Sequence, residues 1–422
     1  MSAQRIHPLL VKAYAMRMLR ATVSLLVLAS AAGAQATAPS LWVRDTLQSS
    51  KLGEQRILYV ATPANYKTVG ERYPVLVLLD ANDEPQFTAA VANINFLANR
   101  GAIPSLLIVG VTNGKDRTRD MTPAATGAGA KTFPTAGGDG NFLSFIVDEA
   151  LPRIRSHYRT LPSTILAGHS FGGLFALHVA AMKPGAFAGI VAMSPSLWWN
   201  DSTVAIEYAN AIAKAAAPTR IFATSGGLEP PIDITARRFA SRLDSIKPAG
   251  LAFAFRHYPD DTHGLTPEPS LVDGLRFVFA PVSLTRTPVM ALGPTADSAS
   301  IVKAVTETEQ SYARGARNLG LPEQVPEGQM NNFGYAALQG FKMPNVAVWI
   351  FRQNVANYPD SPNVYDSLGD GLLAAHDTSS ARTQFRMARD VAIRIGQPVA
   401  AETQKKLDAL EHAVQAGKAK PH

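Results

Sequence analysis

The chain contains a serine in a setting typical of nucleophiles, Gly168-His169-Ser170-Phe171-Gly172. The apolar residues 165–167 before it predict a short strand, and the apolar residues 174–181 after it predict a helix. A tight strand-to-helix turn flanked by glycines can hold a strained backbone and lift a serine hydroxyl clear of a sheet. The helix N-terminus also favours developing negative charge. These flanking elements predict that Ser170 is a nucleophile, whereas the pentapeptide alone would also fit an ordinary turn.

A serine nucleophile needs a general base, which in this strand–turn–helix architecture follows an acid further along the chain. His257 lies within the apolar stretch 252–258, which predicts a strand and favours a packing or surface role. His263 lies on the loop just beyond that strand. A neutral imidazole there could accept the Ser170 proton and return it to a leaving group. We therefore predict that His263 is the base.

Two carboxylates follow the predicted strand at 219–224, Glu229 and Asp233. Either could fix the imidazole tautomer and stabilise the imidazolium. The Gly226-Gly227 turn and the earlier position favour Glu229. A role for Asp233, a dyad without an acid, and an aspartate that only caps a helix remain open.

An oxyanion hole requires two backbone N–H donors. One would come from Phe171, the residue after the nucleophile, and the other from the loop after Leu79, at Asp80 or Ala81, with Ala81 as the candidate.

Two further residues are candidates for substrate binding. Arg119 lies on a long loop after Val111 and could bind a carboxylate or catecholate, although a pair with Asp120 that only orders the loop fits equally well. Trp198 could form part of an aromatic wall, or it could pack against a helix at 203–215.

Alternating apolar strands and amphipathic helices surround these residues from about 54 to 279, which predicts an α/β fold with a mostly parallel sheet covered on both faces. Ligands of such sheets bind beyond the carboxyl ends of the strands. Ser170 is expected at one of those ends.

Five segments in order resemble the putative-esterase family of α/β-hydrolases, which includes siderophore esterases of the enterochelin type, feruloyl esterases and mycolyltransferases. The segments are 73–80, 117–123, 168–173, 194–199 and 261–264. The resemblance covers roughly residues 40–280, implies a serine ester hydrolase without metal or organic cofactor, and supports Glu229 as the acid. The chain departs from the family pattern at Asp261, where Glu is frequent, and at Ala81, where Gly is frequent.

Composition bounds the remaining possibilities. The 422 residues suggest two domains, and the absence of cysteine excludes disulfides, zinc–thiolate sites and thiol nucleophiles. Residues 1–34 read as a signal peptide, with Arg17 and Arg20 before an apolar run that is too short to span a membrane. These 34 residues hold four basic and no acidic residues, so their removal lowers the formal charge from +7 to +3. No basic cluster then argues for nucleic acid.

The region after Phe279 changes in character. Prolines punctuate a predicted linker at 281–297, and residues 298–422 predict a small all-helical domain. A 34-residue offset relates Leu338 to Leu372, Ala347 to Ala381 and Phe351 to Phe385, which is the tetratricopeptide period. We expect structural support from this tail, with a peptide-binding groove for a protein partner as the alternative.

Together these features predict a periplasmic or secreted serine esterase acting on a small-molecule ester, with no membrane span after signal cleavage. Acyl transfer to a sugar or alcohol is the alternative on the same residues. A hydrolase fold used as a non-catalytic binding module, with the tail as its working surface, is the alternative of a different class.

Overall fold

The computed structural model describes residues 41–64, 66, 70–215 and 219–418, so the predicted signal peptide lies outside the described part of the chain. An eight-stranded sheet with the order β1-β2-β4-β3-β5-β6-β7-β8 forms its centre. The strands are β1 (Val43–Ser49), β2 (Glu54–Ala61), β3 (Tyr73–Leu79), β4 (Leu107–Val111), β5 (Thr160–His169), β6 (Gly189–Met193), β7 (Thr219–Gly226) and β8 (Leu251–Tyr258).

β2 is antiparallel to both β1 and β4, and all other neighbouring strands are parallel. Every residue of β3, β4 and β6 is buried, as expected for strands covered on both faces. The predicted α/β fold with a mostly parallel sheet is thus confirmed. β1 was missed by the sequence analysis, because its alternating and largely exposed pattern lacks a continuous apolar run.

Nine helices belong to the sheet region in the described residues. They are α1 (Glu84–Asn99), α2 (Arg117–Met121), α3 (Gly129–Thr132), α4 (Asp139–Ser144), α5 (Leu151–His157), α6 (Phe171–Met182), α7 (Thr203–Lys214), α8 (Pro230–Ile246) and α9 (Pro267–Val278). A wider helical turn at Phe145–Ala150 joins α4 to α5. Helices α1 and α9 pack on one face of the sheet, whereas α4 to α8 pack on the other.

The C-terminal region is helical, as predicted. Its helices are α10 (Ser298–Leu319), α11 (Glu327–Tyr335), α12 (Pro344–Asn357), α13 (Pro362–Ala374), α14 (Thr378–Arg394) and α15 (Ala401–Lys418). Gly334 packs against Phe351, and Gly369 packs against Phe385, so two successive helix pairs make the same close glycine–phenylalanine contact. The assignment of these pairs to the tetratricopeptide class stays a prediction.

The helical region packs at the end of the sheet where the parallel strands begin. Gln329 lies beside Gly101, which precedes β4, and Gly320 lies beside Ser163, near the start of β5. Glu71, just before β3, is half-buried near Glu327, and burial followed by that neighbouring charge raises the pKa of its carboxyl. The described residues from Trp42 onward form one compact unit, and the division at 281–297 into two domains stays a prediction.

None of the described helices combines the length and the apolar character needed to cross a membrane.

Candidate active site

Ser170 lies at the turn between β5 and α6, in a backbone conformation that side chains rarely adopt (φ 60°, ψ −116°). The glycines allow this turn to close. A Cβ at Gly168 would overlap the carbonyl group of Gly172, and one at Gly173 would lie 3.0 Å from the Met193 carbonyl oxygen. The Ser170 N–H donates to that same carbonyl (3.0 Å), which ties the turn to the end of β6. The strand–turn–helix geometry expected around Ser170 is therefore present.

His263 and Glu229, predicted from separate loops, meet beyond the ends of β7 and β8. His263 Nδ1 lies 2.5 Å from Glu229 Oε2, so the carboxylate accepts from Nδ1–H and leaves Nε2 as the nitrogen free to take a proton. The His263 ring also lies against the ring of His169, with centroids 4.2 Å apart. The base candidate is therefore next to the residue that precedes Ser170.

Glu229 is held by a set of donors that orients its carboxylate. It stands immediately before Pro230-Pro231, which begin α8 because proline suits the first turn of a helix. Its Oε1 accepts from Ser194 Oγ (2.6 Å) and from the Gly226 N–H (2.5 Å). Burial alone would raise the pKa of Glu229, but the hydrogen bonds from His263, Ser194 and Gly226 outweigh it and the pKa is lowered. The carboxylate is thus ionised and fixed.

Asp233, the competing acid, is engaged elsewhere. It accepts from Ser225 Oγ (2.5 Å), lies 3.1 Å from His257 Nδ1, and pairs with Arg237 one helical turn later. Ser225 and Asp233 both approach Nδ1 of His257, whereas a nucleophile and an acid must use opposite ring nitrogens. This cluster is a packing arrangement, in line with the role expected for His257.

Two serines of segment 194–199 support the site, a role that sequence reasoning did not assign. Ser194 Oγ donates to Glu229 and lies 2.8 Å from Thr266 Oγ1, which in turn lies 3.1 Å from the carbonyl oxygen of His263. Ser196 Oγ lies 3.3 Å from Ser170 Oγ, and its N–H donates to the Ser170 carbonyl (3.1 Å). A shared segment therefore braces the acid and the serine.

His169 is a further residue that sequence reasoning overlooked. Its Nε2 is buried without a hydrogen-bond partner. Burial, followed by the nearby His263, lowers the pKa of His169 to about 4. The ring packed against the base is therefore neutral at physiological pH.

The two predicted oxyanion donors differ in whether the backbone N–H is free to bind an oxyanion. Phe171 is the first residue of α6, where an N–H has no acceptor within the helix. The Ala81 N–H instead donates to the carbonyl of Val111 (3.2 Å), so Ala81 is not available as a donor and this part of the prediction needs correction. The cause is the positive φ of Asp80 (60°), which turns the following peptide toward β4.

Arg119 takes part in a network of ion pairs. It pairs with Glu54 (3.0 Å) and Asp120 (2.6 Å), both of which also pair with the fully buried Arg56. This ion network holds the long loop after β4, so the geometry favours the loop-ordering alternative for Arg119. Two residues earlier, Arg117 faces the site.

Arg117 binds the turn after β3 through a bidentate salt bridge. Its Nε and Nη2 donate to the two carboxylate oxygens of Asp80 (2.6 and 2.9 Å), and Nη2 also donates to the His169 carbonyl (3.2 Å). The guanidinium lies over the Phe171 ring, 5.3 Å from its centre. Sequence reasoning did not single out Arg117, because only the tertiary pairing distinguishes two arginines on one short helix.

Trp198 lies in an aromatic cluster beside the nucleophile turn. Its ring is 6.0 Å from Phe171 and 6.1 Å from Phe133, while the neighbouring Trp199 is buried. Phe133, Trp198 and Trp199 line a small cavity of about 100 Å³. The half-buried Trp198 is therefore placed where an aromatic wall was expected.

Within the described residues, no group of three or more histidine or acidic side chains has the arrangement of a metal site.

Comparisons with known proteins find similarity to esterases. A family model described as "Putative esterase" matches residues 49–238. Ferri-bacillibactin esterase BesA of Bacillus subtilis (strain 168) is 29% identical over 233 residues, 50% of this chain and 80% of that protein. Siderophore triacetylfusarinine C esterase of Aspergillus fumigatus is 30% identical over 163 residues, 35% of this chain and 53% of that protein.

A solved structure, an IroE-like serine hydrolase from Shewanella oneidensis, is similar with a TM-score of 0.62 and 26% identity, over 73% of this chain and 98% of that one. The sequence matches thus lead to one likeness. Through residues 49–238, this chain is similar to the Putative esterase family.

Proposed function

We propose that this protein is an exported serine esterase in which Ser170, His263 and Glu229 form the catalytic triad. The observation that carries the proposal is the 2.5 Å bond between His263 Nδ1 and Glu229, formed beside the strained turn that presents Ser170. That bond selects the imidazole tautomer in which Nε2 can act as a base.

In the reaction, Ser170 Oγ attacks the ester carbonyl carbon as His263 Nε2 takes its proton. The C–O bond to the alcohol then breaks, and His263 returns the proton to the leaving oxygen. A water molecule repeats the sequence on the acyl-enzyme and releases the acid. The Phe171 N–H and the α6 N-terminus stabilise the oxyanion.

For the substrate, we propose a siderophore-type ester. The two relatives named above act on siderophores according to their names, and this proposal extends that class to the present chain. The aromatic cluster around Trp198, next to Phe171, is suited to an aromatic acyl group.

The mechanism is tested by labelling with a fluorophosphonate, which reacts only with an activated serine. We expect labelling of the wild type, with Ser170→Ala and His263→Ala each losing it together with several orders of magnitude in ester turnover. Ser225→Ala and His257→Ala are matched controls from the second serine–histidine cluster, and both should still label. Equal labelling of all five proteins would rule out the proposed triad.

The substrate class is tested by comparing bacillibactin, triacetylfusarinine C and phenyl acetate as substrates of the wild type. Higher kcat/KM for a siderophore than for phenyl acetate is expected. A clear preference for phenyl acetate would argue against the siderophore assignment while leaving the triad intact.

A further inference from the structure

A second cavity, of about 370 Å³, lies on the face of the sheet opposite α6, between α1 and α9. Its walls and floor are largely apolar. They include Ala90 and Ile94 of α1, Leu271 and Leu275 of α9, and Leu78 and Met193 at the ends of β3 and β6. This volume and apolar character are typical of small-ligand pockets.

The cavity adjoins the reacting groups. Gly264 and Leu265, which line it, follow His263 directly in the chain. Met193, also in its lining, accepts the backbone hydrogen bond of Ser170 (3.0 Å). A ligand in the cavity would therefore lie next to the loop that carries the base and beneath the turn that carries the nucleophile.

The cavity exposes a large apolar side chain near His263. Leu265, which lines the cavity, is 61% exposed, and Leu228, which lies outside the lining, is exposed to the same extent. Their loops are joined by a hydrogen bond from the Leu228 N–H to the Asp261 carbonyl (3.1 Å). Apolar groups exposed together beside a cavity are characteristic of ligand contact.

The charged side chains that line the cavity indicate which kind of ligand it can bind. The ionisable side chains that line the cavity are the two acids Asp83 and Glu268, and no lysine or arginine is among the lining residues. Asn93 on α1 donates to Glu268 on α9 (3.0 Å), which links the two helices at the opening. An anionic fragment such as a catecholate would meet carboxylates here, whereas an uncharged apolar chain would not.

We propose, on the basis of the esterase function above, that this cavity binds the apolar alcohol portion of the ester. The alcohol side is chosen because His263 must protonate the leaving oxygen, so the atoms beyond that oxygen extend from the His263 loop. The acyl portion is then left to the aromatic cluster near Trp198. The enzyme thus accepts, besides siderophore-type esters, esters whose alcohol is a neutral hydrophobic group.

The size of the cavity sets the expected chain length. A methylene group occupies about the volume of a water molecule, roughly 30 Å³, so the cavity holds on the order of ten carbon atoms. Full burial of each methylene is worth up to about a fourfold gain in kcat/KM. We expect kcat/KM to rise along the acetate esters of ethanol, butanol, hexanol and octanol.

Two substitutions on α1 form a matched pair for the test. Ala89 lines the cavity, while Ala92 is exposed on the same helix and is outside the lining. Ala89→Trp should lower kcat/KM for octyl acetate by at least tenfold and change ethyl acetate by less than threefold. Ala92→Trp should change neither, and ethyl esters of longer acids should be equally insensitive to both. Val272→Trp, from the opposite wall, repeats the test if Ala89→Trp is not folded by circular dichroism.

Protection by 1-octanol during fluorophosphonate labelling separates this inference from the esterase proposal. A wild type that does not label contradicts the esterase proposal itself. Where labelling occurs, 1-octanol should slow it in the wild type and in Ala92→Trp but not in Ala89→Trp. Three results would contradict the binding of the alcohol portion in this cavity. They are no protection by 1-octanol, a loss of turnover in Ala89→Trp that does not depend on the length of the alcohol, and a selective effect of Ala89→Trp on the length of the acid.

Discussion

At the scale of single residues, the main question is which carboxylate is the acid of the triad. The two candidates lie four positions apart in the sequence, on the same loop and helix. Glu229 bonds His263 at 2.5 Å, whereas Asp233 bonds Ser225 and Arg237. Glu229→Gln should lower kcat by about 10²- to 10⁴-fold, since an amide cannot hold the required tautomer with a negative charge.

Asp233→Asn is the matched control and should keep kcat within a few-fold, as measured by steady-state hydrolysis of phenyl acetate. A large loss in Asp233→Asn with a small one in Glu229→Gln would transfer the role to Asp233.

His169, in the same site, makes the stability of the folded protein depend on pH. Burial and the neighbouring His263 hold the pKa of His169 at about 4, below its ordinary value of 6.5. Between pH 6.5 and pH 4, His169 therefore binds a proton in the unfolded chain but not in the folded protein. Its contribution to stability is fully present above pH 6.5 and declines as the pH falls toward 4.

Urea denaturation of the wild type at pH 7.5 and pH 5 should show that decline, and His169→Gln should show less of it. His157→Gln, on the exposed end of α5, serves as the control. The same pH dependence in all three proteins would contradict the assignment.

At the scale of elements, the two arginines of the short helix α2 have different structural roles. Arg117 fixes Asp80 and the His169 carbonyl, whereas Arg119 joins the buried network of Glu54, Asp120 and Arg56. The first arginine thus holds the turn after β3 against the nucleophile turn, and the second holds the long loop against the sheet.

Arg117→Ala should therefore reduce kcat by about tenfold or more with a small change in stability, because the turn beside the oxyanion site loses its support. Arg119→Ala should reduce stability by about 1 to 3 kcal/mol, since it removes a partner of two buried carboxylates, with a part-exposed guanidinium limiting the loss. Thermal unfolding and steady-state kinetics on both variants test this division. Stability loss confined to Arg117→Ala would reverse it.

At the scale of the whole molecule, the helical region and the proposed site lie at opposite ends of the parallel strands. The contacts at Gly101, Ser163 and Glu71 are near the beginnings of strands, whereas Ser170 follows the end of β5. The largest apolar core nevertheless continues from α9 into α10 and beyond, through Leu275, Val282 and Val305.

A chain ending at Ala291 should therefore keep kcat on phenyl acetate within a few-fold while losing several degrees of Tm and gaining binding of a hydrophobic dye. The reason is that truncation exposes apolar surface without touching the triad. Measurements must be made below the Tm of the shortened protein. A protein that is folded by circular dichroism but inactive would show that the tail contributes to the site.

The amino-acid sequence was sufficient wherever the signal was local. The strand, glycines and helix around Ser170 predicted the nucleophile turn, and continuous apolar runs predicted β3, β4 and β6. Such features depend on backbone sterics and burial within a few residues, so they can be read along the chain.

Tertiary structure decided every choice between near neighbours. Whether Glu229 or Asp233 meets His263, whether Arg117 or Arg119 faces Ser170, and whether the Ala81 N–H is free all depend on partners 30 or more positions away. The buried histidine at 169 and the cavity beside α1 likewise arise only when distant strands and helices meet. Residue type and local pattern carry no record of those long-range pairings, because hydrogen bonds and packing form between elements that the fold alone brings together.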